Sequence, residues 1–113
     1  MLLQEFLVAL EQPGHQFADT LAFIDLHYDY SPQDFNNADL HNAAGSNQGS
    51  CKILGLALLE HLSTEDALLA FGEHYTWVLA HPEQTEHANI RQLIKTGLAA
   101  VHFSQLPLRR LVV

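Results

Sequence analysis

Residues 53–62, ILGLALLEHL, constrain the fold more than any other part of the chain. Ile53, Leu54, Leu56, Ala57, Leu58, Leu59 and Leu62 cover nearly every face of a helix, so that helix has to be enclosed by other elements. A chain of 113 residues has room for one such core and no second, so residues 1–113 read as a single domain. Its 48% hydrophobic content is enough for a domain of this size to fold without disulfides or metal.

The elements that enclose this helix are read from apolar spacing. Leu3, Phe6, Leu7 and Leu10 mark an amphipathic first helix ending near Gln12, where Pro13-Gly14 breaks the pattern. A signal peptide fits these residues less well, because a basic leading segment and a small-residue cleavage site are missing. Phe17, Leu21, Ile24 and Tyr28 mark a second helix. It passes into a short extended segment near residues 26–31, where apolar and polar residues alternate before Ser31-Pro32. The central third helix starts between Ser46 and Ser50, with one of those serines as N-cap.

Ser63 caps a fourth helix whose inner stripe is Leu68, Phe71, Tyr75 and Leu79 and which ends at His81-Pro82. A fifth runs from about Glu86 with Ile90, Leu93, Ile94, Gly97, Leu98 and Val101 on one side, Gly97 marking a close helix crossing. The apolar tail at 106–113 either docks on the body or meets a partner. The expected fold class is therefore mainly α: a compact bundle of about five helices with a long polar loop at about 31–46. That loop, with one helical turn near Asp39, is the place to look for function, since loops of such length are rarely idle.

Charge removes whole classes of function. Thirteen acidic against five basic residues give a net charge of −8. Nucleic acid needs a basic stripe that this chain lacks, and anionic membrane surfaces are disfavoured for the same reason. No apolar run reaches the roughly 18 residues of a membrane span. One cysteine, Cys51, excludes an internal disulfide and suits a reducing, cytoplasmic setting.

The pointed chemistry sits between His41 and Lys52. Residues 44–54, AGSNQGSCKIL, run through two glycines directly into a helix, where unpaired N–H groups at the positive dipole end can hold an anion and Lys52 can add charge. Turn formation and helix capping are the commoner uses of the same residues. The spacing is not that of a phosphate-binding P-loop. Cys51 lies in the first helical turn, where a thiol is activated, and His41 or His87 with nearby asparagines would complete a Cys–His–Asn arrangement. The competing reading is a buried thiol acting as a small hydrophobe. Eight histidines show no pair three or four residues apart, so no metal and no cofactor is expected from spacing. His87, Asn89 and Arg91 alternate at the start of the last helix, with Arg91 suited to a carboxylate or a carbonyl and expected in a salt bridge.

Residues 40–75, LHNAAGSNQGSCKILGLALLEHLSTEDALLAFGEHY, and 81–97, HPEQTEHANIRQLIKTG, resemble the HopJ type III effector family. The resemblance extends upstream through YDYSPQDFNN at 28–37, and its most specific parts are residues 42–53 and 87–91. It departs at Asn36-Asn37, where the family has Asn-Gly and where asparagine can take the left-handed turn. Leu98 and Ala100 likewise replace the family's Trp and Gly. The resemblance implies a small domain found in effectors delivered by type III secretion, and also in ordinary chromosomal proteins; it implies no reaction and no catalytic residues.

Three readings follow. The first is a binding protein that recognises a protein partner or a small anionic ligand through Asn42, Asn47, Ser50, Lys52, His87, Asn89 and Arg91. The second is a hydrolase or transferase using Cys51 with His41 or His87. The third is a homodimer, in place of a monomer, formed through the apolar tail.

Overall fold

The computed structural model describes residues 2–111; Met1 and the tail's last two residues, Val112 and Val113, lie outside them. The chain runs through α1 (Leu3–Leu10), α2 (Phe17–His27), β1 (Tyr28–Tyr30), β2 (Phe35–Asn37), β3 (Leu40–Asn42) and α3 (Gln48–Leu59). It continues through α4 (Thr64–Leu69), α5 (Glu73–Ala80), α6 (Ala88–Thr96), a 3-10 turn (Leu98–Ala100), β4 (Val101–Phe103) and β5 (Leu108–Arg110). As its composition requires, α3 is central: Ile53, Leu54, Leu56 and Ala57 are buried, and α2, α4 and β5 pack on it. Each large side chain so enclosed contributes about 1.5–3 kcal/mol of transfer free energy.

The expectation of a mainly α bundle is overturned. Among the described residues, six helices accompany five short strands in two antiparallel sheets, an α+β fold. Most of the difference lies at 31–46, read from sequence as a polar loop with a helical turn. Residues 35–42 form a hairpin instead, turned by Ala38 and Asp39, with Phe35 opposite Asn42 and Asn37 opposite Leu40. The left-handed backbone falls on Ala38 (φ 53) and not on Asn36-Asn37, which lie in the strand. Strand β4 pairs with the other side of β2, and Phe35 stacks on Phe103 across them. Strands of three residues are too short for a two-residue period to stand out, and here two of the hairpin's three buried positions are filled by asparagines.

The second sheet joins β1, the extended segment foreseen after α2, to β5. The tail thus docks on the body through residues 107–110. Gly55 makes this close approach feasible, since a Cβ there would lie 2.4 Å from the Pro107 ring. Arg110 on β5 then grips Glu60, which also accepts from the Tyr28 hydroxyl. The guanidinium holds the Glu60 carboxyl below its ordinary range, while burial and that carboxylate raise the Tyr28 phenol.

The single fourth helix expected over 63–81 is two. Gly72 (φ 58, ψ −128) breaks it, and a Cβ at Gly72 would sit 2.4 Å from the Phe17 backbone nitrogen. The break shifts the helical phase, so Val78 is buried and Leu79, expected inside, is 58% exposed. The last helix stops at Gly97 (φ 71), earlier than expected. Gly97 lies against Thr64, whose hydroxyl accepts from the Leu98 N–H, and Val101 belongs to β4. Among the described residues no helix is long and apolar enough to cross a membrane.

Candidate functional site

One cleft of about 340 Å3 gathers residues from α2, β3, α3, α5 and α6. Of the residues singled out from sequence, it brings together His41, Asn42, Asn47, Ser50, His87 and Asn89. Cys51, Lys52 and Arg91 lie elsewhere. Phe17, Phe71 and His74 also line it; from sequence the two phenylalanines read only as helix faces, and His74 is not singled out. The sequence signal for His74 is Gly72-Glu73-His74, a helix start concealed within an apparently continuous stripe.

The floor is a knot of asparagines. Asn37, Asn42 and Asn89 are 0%, 2% and 5% exposed. The Asn42 carbonyl oxygen accepts from Asn89 Nδ2 at 2.8 Å and from Asn47 Nδ2 at 2.7 Å, while Asn89 Oδ1 accepts from Asn37 and Asn42. Buried amides without partners are costly, so this network holds β2, β3 and α6 in one register. The amide groups of Asn42 assigned to ligand binding from sequence are engaged here in internal hydrogen bonds. Asn47 lines the cleft, and its Oδ1 accepts no hydrogen bond among the described residues.

Two helices begin at this cleft in the same unusual way. Asn47, not Ser46 or Ser50, is the N-cap of α3, with φ 48; His87 is the N-cap of α6, with φ 61. Neither supplies a side-chain acceptor to its helix, and neither helix has an acid in its first turn. Among the described residues the N–H groups of Gln48, Gly49 and Ser50, and of Ala88, Asn89 and Ile90, find no acceptor. Such groups carry the positive end of each helix dipole. Gly49 lets the Phe17 ring close over α3, since a Cβ there would meet that ring at 2.4 Å.

Histidines line the walls. His74 and His87 face each other with ring centroids 4.8 Å apart, and Phe17 meets His74 edge-on at 4.8 Å. Burial and then the neighbouring His74 hold the His87 imidazole below its ordinary value, with Glu86 pulling the other way. His41 stands on β3, its Nδ1 2.9 Å from Asn36 Oδ1. Among the described residues no three His, Cys, Asp or Glu side chains are grouped to hold a metal ion.

The remaining sequence candidates point elsewhere. Cys51 is 1% exposed and its thiol donates to the Gln33 carbonyl at 3.7 Å, away from the cleft lining. Beside it, burial pushes the Tyr30 hydroxyl up to about 12, with the thiol adding to the effect. Lys52 pairs with Asp25 at 3.1 Å and lies over the Tyr30 ring. Arg91 forms no salt bridge among the described residues; its Nε donates to the Glu86 carbonyl at 2.7 Å and its guanidinium lies over Trp77.

Set against known proteins, the chain matches the family model described as HopJ type III effector protein over residues 3–108. It is similar to a crystal structure of an unknown-function protein, VPA0580, with 40% identity and a TM-score of 0.92, covering 98% of this chain and 95% of that one. No curated protein matches it.

Proposed function

This chain belongs to the HopJ type III effector protein family, and we propose that it is a binding protein whose cleft between α3 and α6 captures an anionic group, carried by a small ligand or by a protein partner. One observation carries this reading. In a chain of net charge −8, the two helices that start without an acid are the two that open on the same cleft. Each end presents about half a positive charge, so together they offer a phosphate or carboxylate roughly one charge of complement plus the N–H groups of Gly49, Ser50, Ala88, Asn89 and Ile90. The overall acidity of the chain opposes anions at long range, so affinity for a bare ion belongs near the millimolar level, about −4 kcal/mol.

Titration with inorganic phosphate, followed by amide NMR against a sodium chloride control, tests this. The amides of Gly49, Ser50, Ala88 and Asn89 should shift together and saturate. Silence at those four positions at several times millimolar phosphate sinks the reading. Delivery by a type III system is the localisation that the family's description suggests. A translocation-reporter fusion tests it, retention of the fusion in the bacterial cytoplasm being the contrary result.

A further inference from the structure

Trp77 is the chain's one tryptophan, and three cationic or titratable groups converge on it. His81 stacks on its ring at 4.1 Å and 15°, with Nδ1 2.8 Å from the Trp77 carbonyl. His87 meets the ring edge-on at 5.7 Å, and Arg91 lies over it at 5.9 Å. The loop 82–87 is therefore fastened at both ends to one side chain of α5, and its far end is also the start of α6 and a wall of the cleft. From this geometry we propose that the loop and the first turn of α6 form an acid-sensitive clasp, closed at neutral pH and released when His87 takes up a proton. The proposal does not depend on what the cleft binds.

The surroundings of His87 set the direction. From α5 it faces His74; from its own helix, Arg91 and the unpaired N–H groups of the first turn; across the cleft, His41 on β3. The single carboxylate that favours its charge is the adjacent Glu86, since Glu73 of α5 is engaged with the Phe17 N–H. A proton on His87 thus meets a second imidazole at 4.8 Å, a guanidinium and a helix dipole of the same sign. His87 also holds a left-handed backbone, φ 61, which a non-glycine residue keeps only while its contacts compensate. Its edge-on contact with Trp77 and its tilted contact with His74 are that compensation, and protonation sets them against charge repulsion.

Trp77 fluorescence and the amide protection factors of Gln84 and Arg91, whose N–H groups are bonded to the His81 and His87 carbonyls, measured on the full chain from about pH 7.5 to 5, test the clasp. Protection at both should fall severalfold as pH drops, with far-UV helix content retained. The midpoint should lie below the ordinary histidine value of 6.5. His87→Asn keeps a residue that tolerates the left-handed backbone and removes the titrating ring, so the transition should flatten. Should that variant not fold, His74→Gln serves in its place. Removing the like-charged neighbour should move the midpoint up toward 6.5, and an unmoved midpoint overturns the proposal. A fluorescence change with constant protection means that rings titrate without release, and overturns it. So does a full transition surviving in His87→Asn, or a loss of protection across the whole molecule at once.

Discussion

Four of the six helices among the described residues begin on a carboxylate, and two do not. In α1 and α2 an acid three residues in, Glu5 or Asp19, accepts from the N-cap backbone N–H. In α4 the Ser63 hydroxyl accepts from the Asp66 N–H, with Glu65 and Asp66 in the first turn. In α5 Glu73 lies in the first turn and accepts from the Phe17 N–H at 2.7 Å. At α3 and α6 no acid is present, the N-caps are left-handed and the donors face a shared cleft. The four closed starts hold the fold together; the two open ones leave N–H groups for something outside the chain.

Substitutions at closed starts should therefore cost stability, and those at open starts should cost binding. Gly72→Ala should have the largest effect. It forces a Cβ to 2.4 Å from the Phe17 nitrogen in a backbone conformation reserved for glycine, costing about 3 kcal/mol or more in chemical denaturation. Next comes the floor that holds the open starts in place. Asn89→Ala removes the acceptor for Asn37 and Asn42 and should cost about 2–3 kcal/mol. An unchanged melting temperature would mean the asparagine knot carries no load. Ser63→Ala should cost about 1 kcal/mol and leave phosphate shifts at the cleft untouched.

The sharpest test reverses the comparison. Ser50→Asp or Ala88→Glu places an acid in an open first turn, which should raise stability by about 0.3–1 kcal/mol while abolishing phosphate shifts. A variant that gains stability and still binds phosphate breaks the link between the open starts and binding. Acid should produce a smaller, shared effect. His15 and His87 are both held below 6.5 in the fold, mainly by burial. Their neutral forms are thus the ones folding favours, and their contribution is full above pH 6.5 and lost as pH falls through their folded values. The denaturation midpoint should drop as pH falls below about 6.5, and His87→Asn should remove part of that drop.

Much of this was legible residue by residue. The all-round apolar surface of 53–62 announced a central helix, alternation after Ile24 announced β1, and the glycine-punctuated run into α3 marked one wall of the cleft. His87 and Asn89 marked the second wall. Cys51 was misleading, because the same first-turn position serves either an activated thiol or a buried one, and only its neighbours distinguish them. The hairpin at 35–42 was hidden because Asn37 and Asn42, polar by type, occupy two of its three buried positions, where Asn89 accepts from their amide N–H groups. His74 was hidden by a helix break that depends on Gly72 touching a backbone 55 residues away in sequence.

The sequence by itself determined the core helix, the amphipathic elements around it, the acidic surface and the family, because periodicity, composition and local motifs are properties of neighbouring residues. Tertiary structure alone decided that two helix starts share one cleft, that the asparagines form its floor, that the thiol turns inward and that the tail becomes a strand. Those outcomes depend on pairings between residues far apart in the chain, where the partner that satisfies a buried amide or covers a glycine is chosen by the fold as a whole.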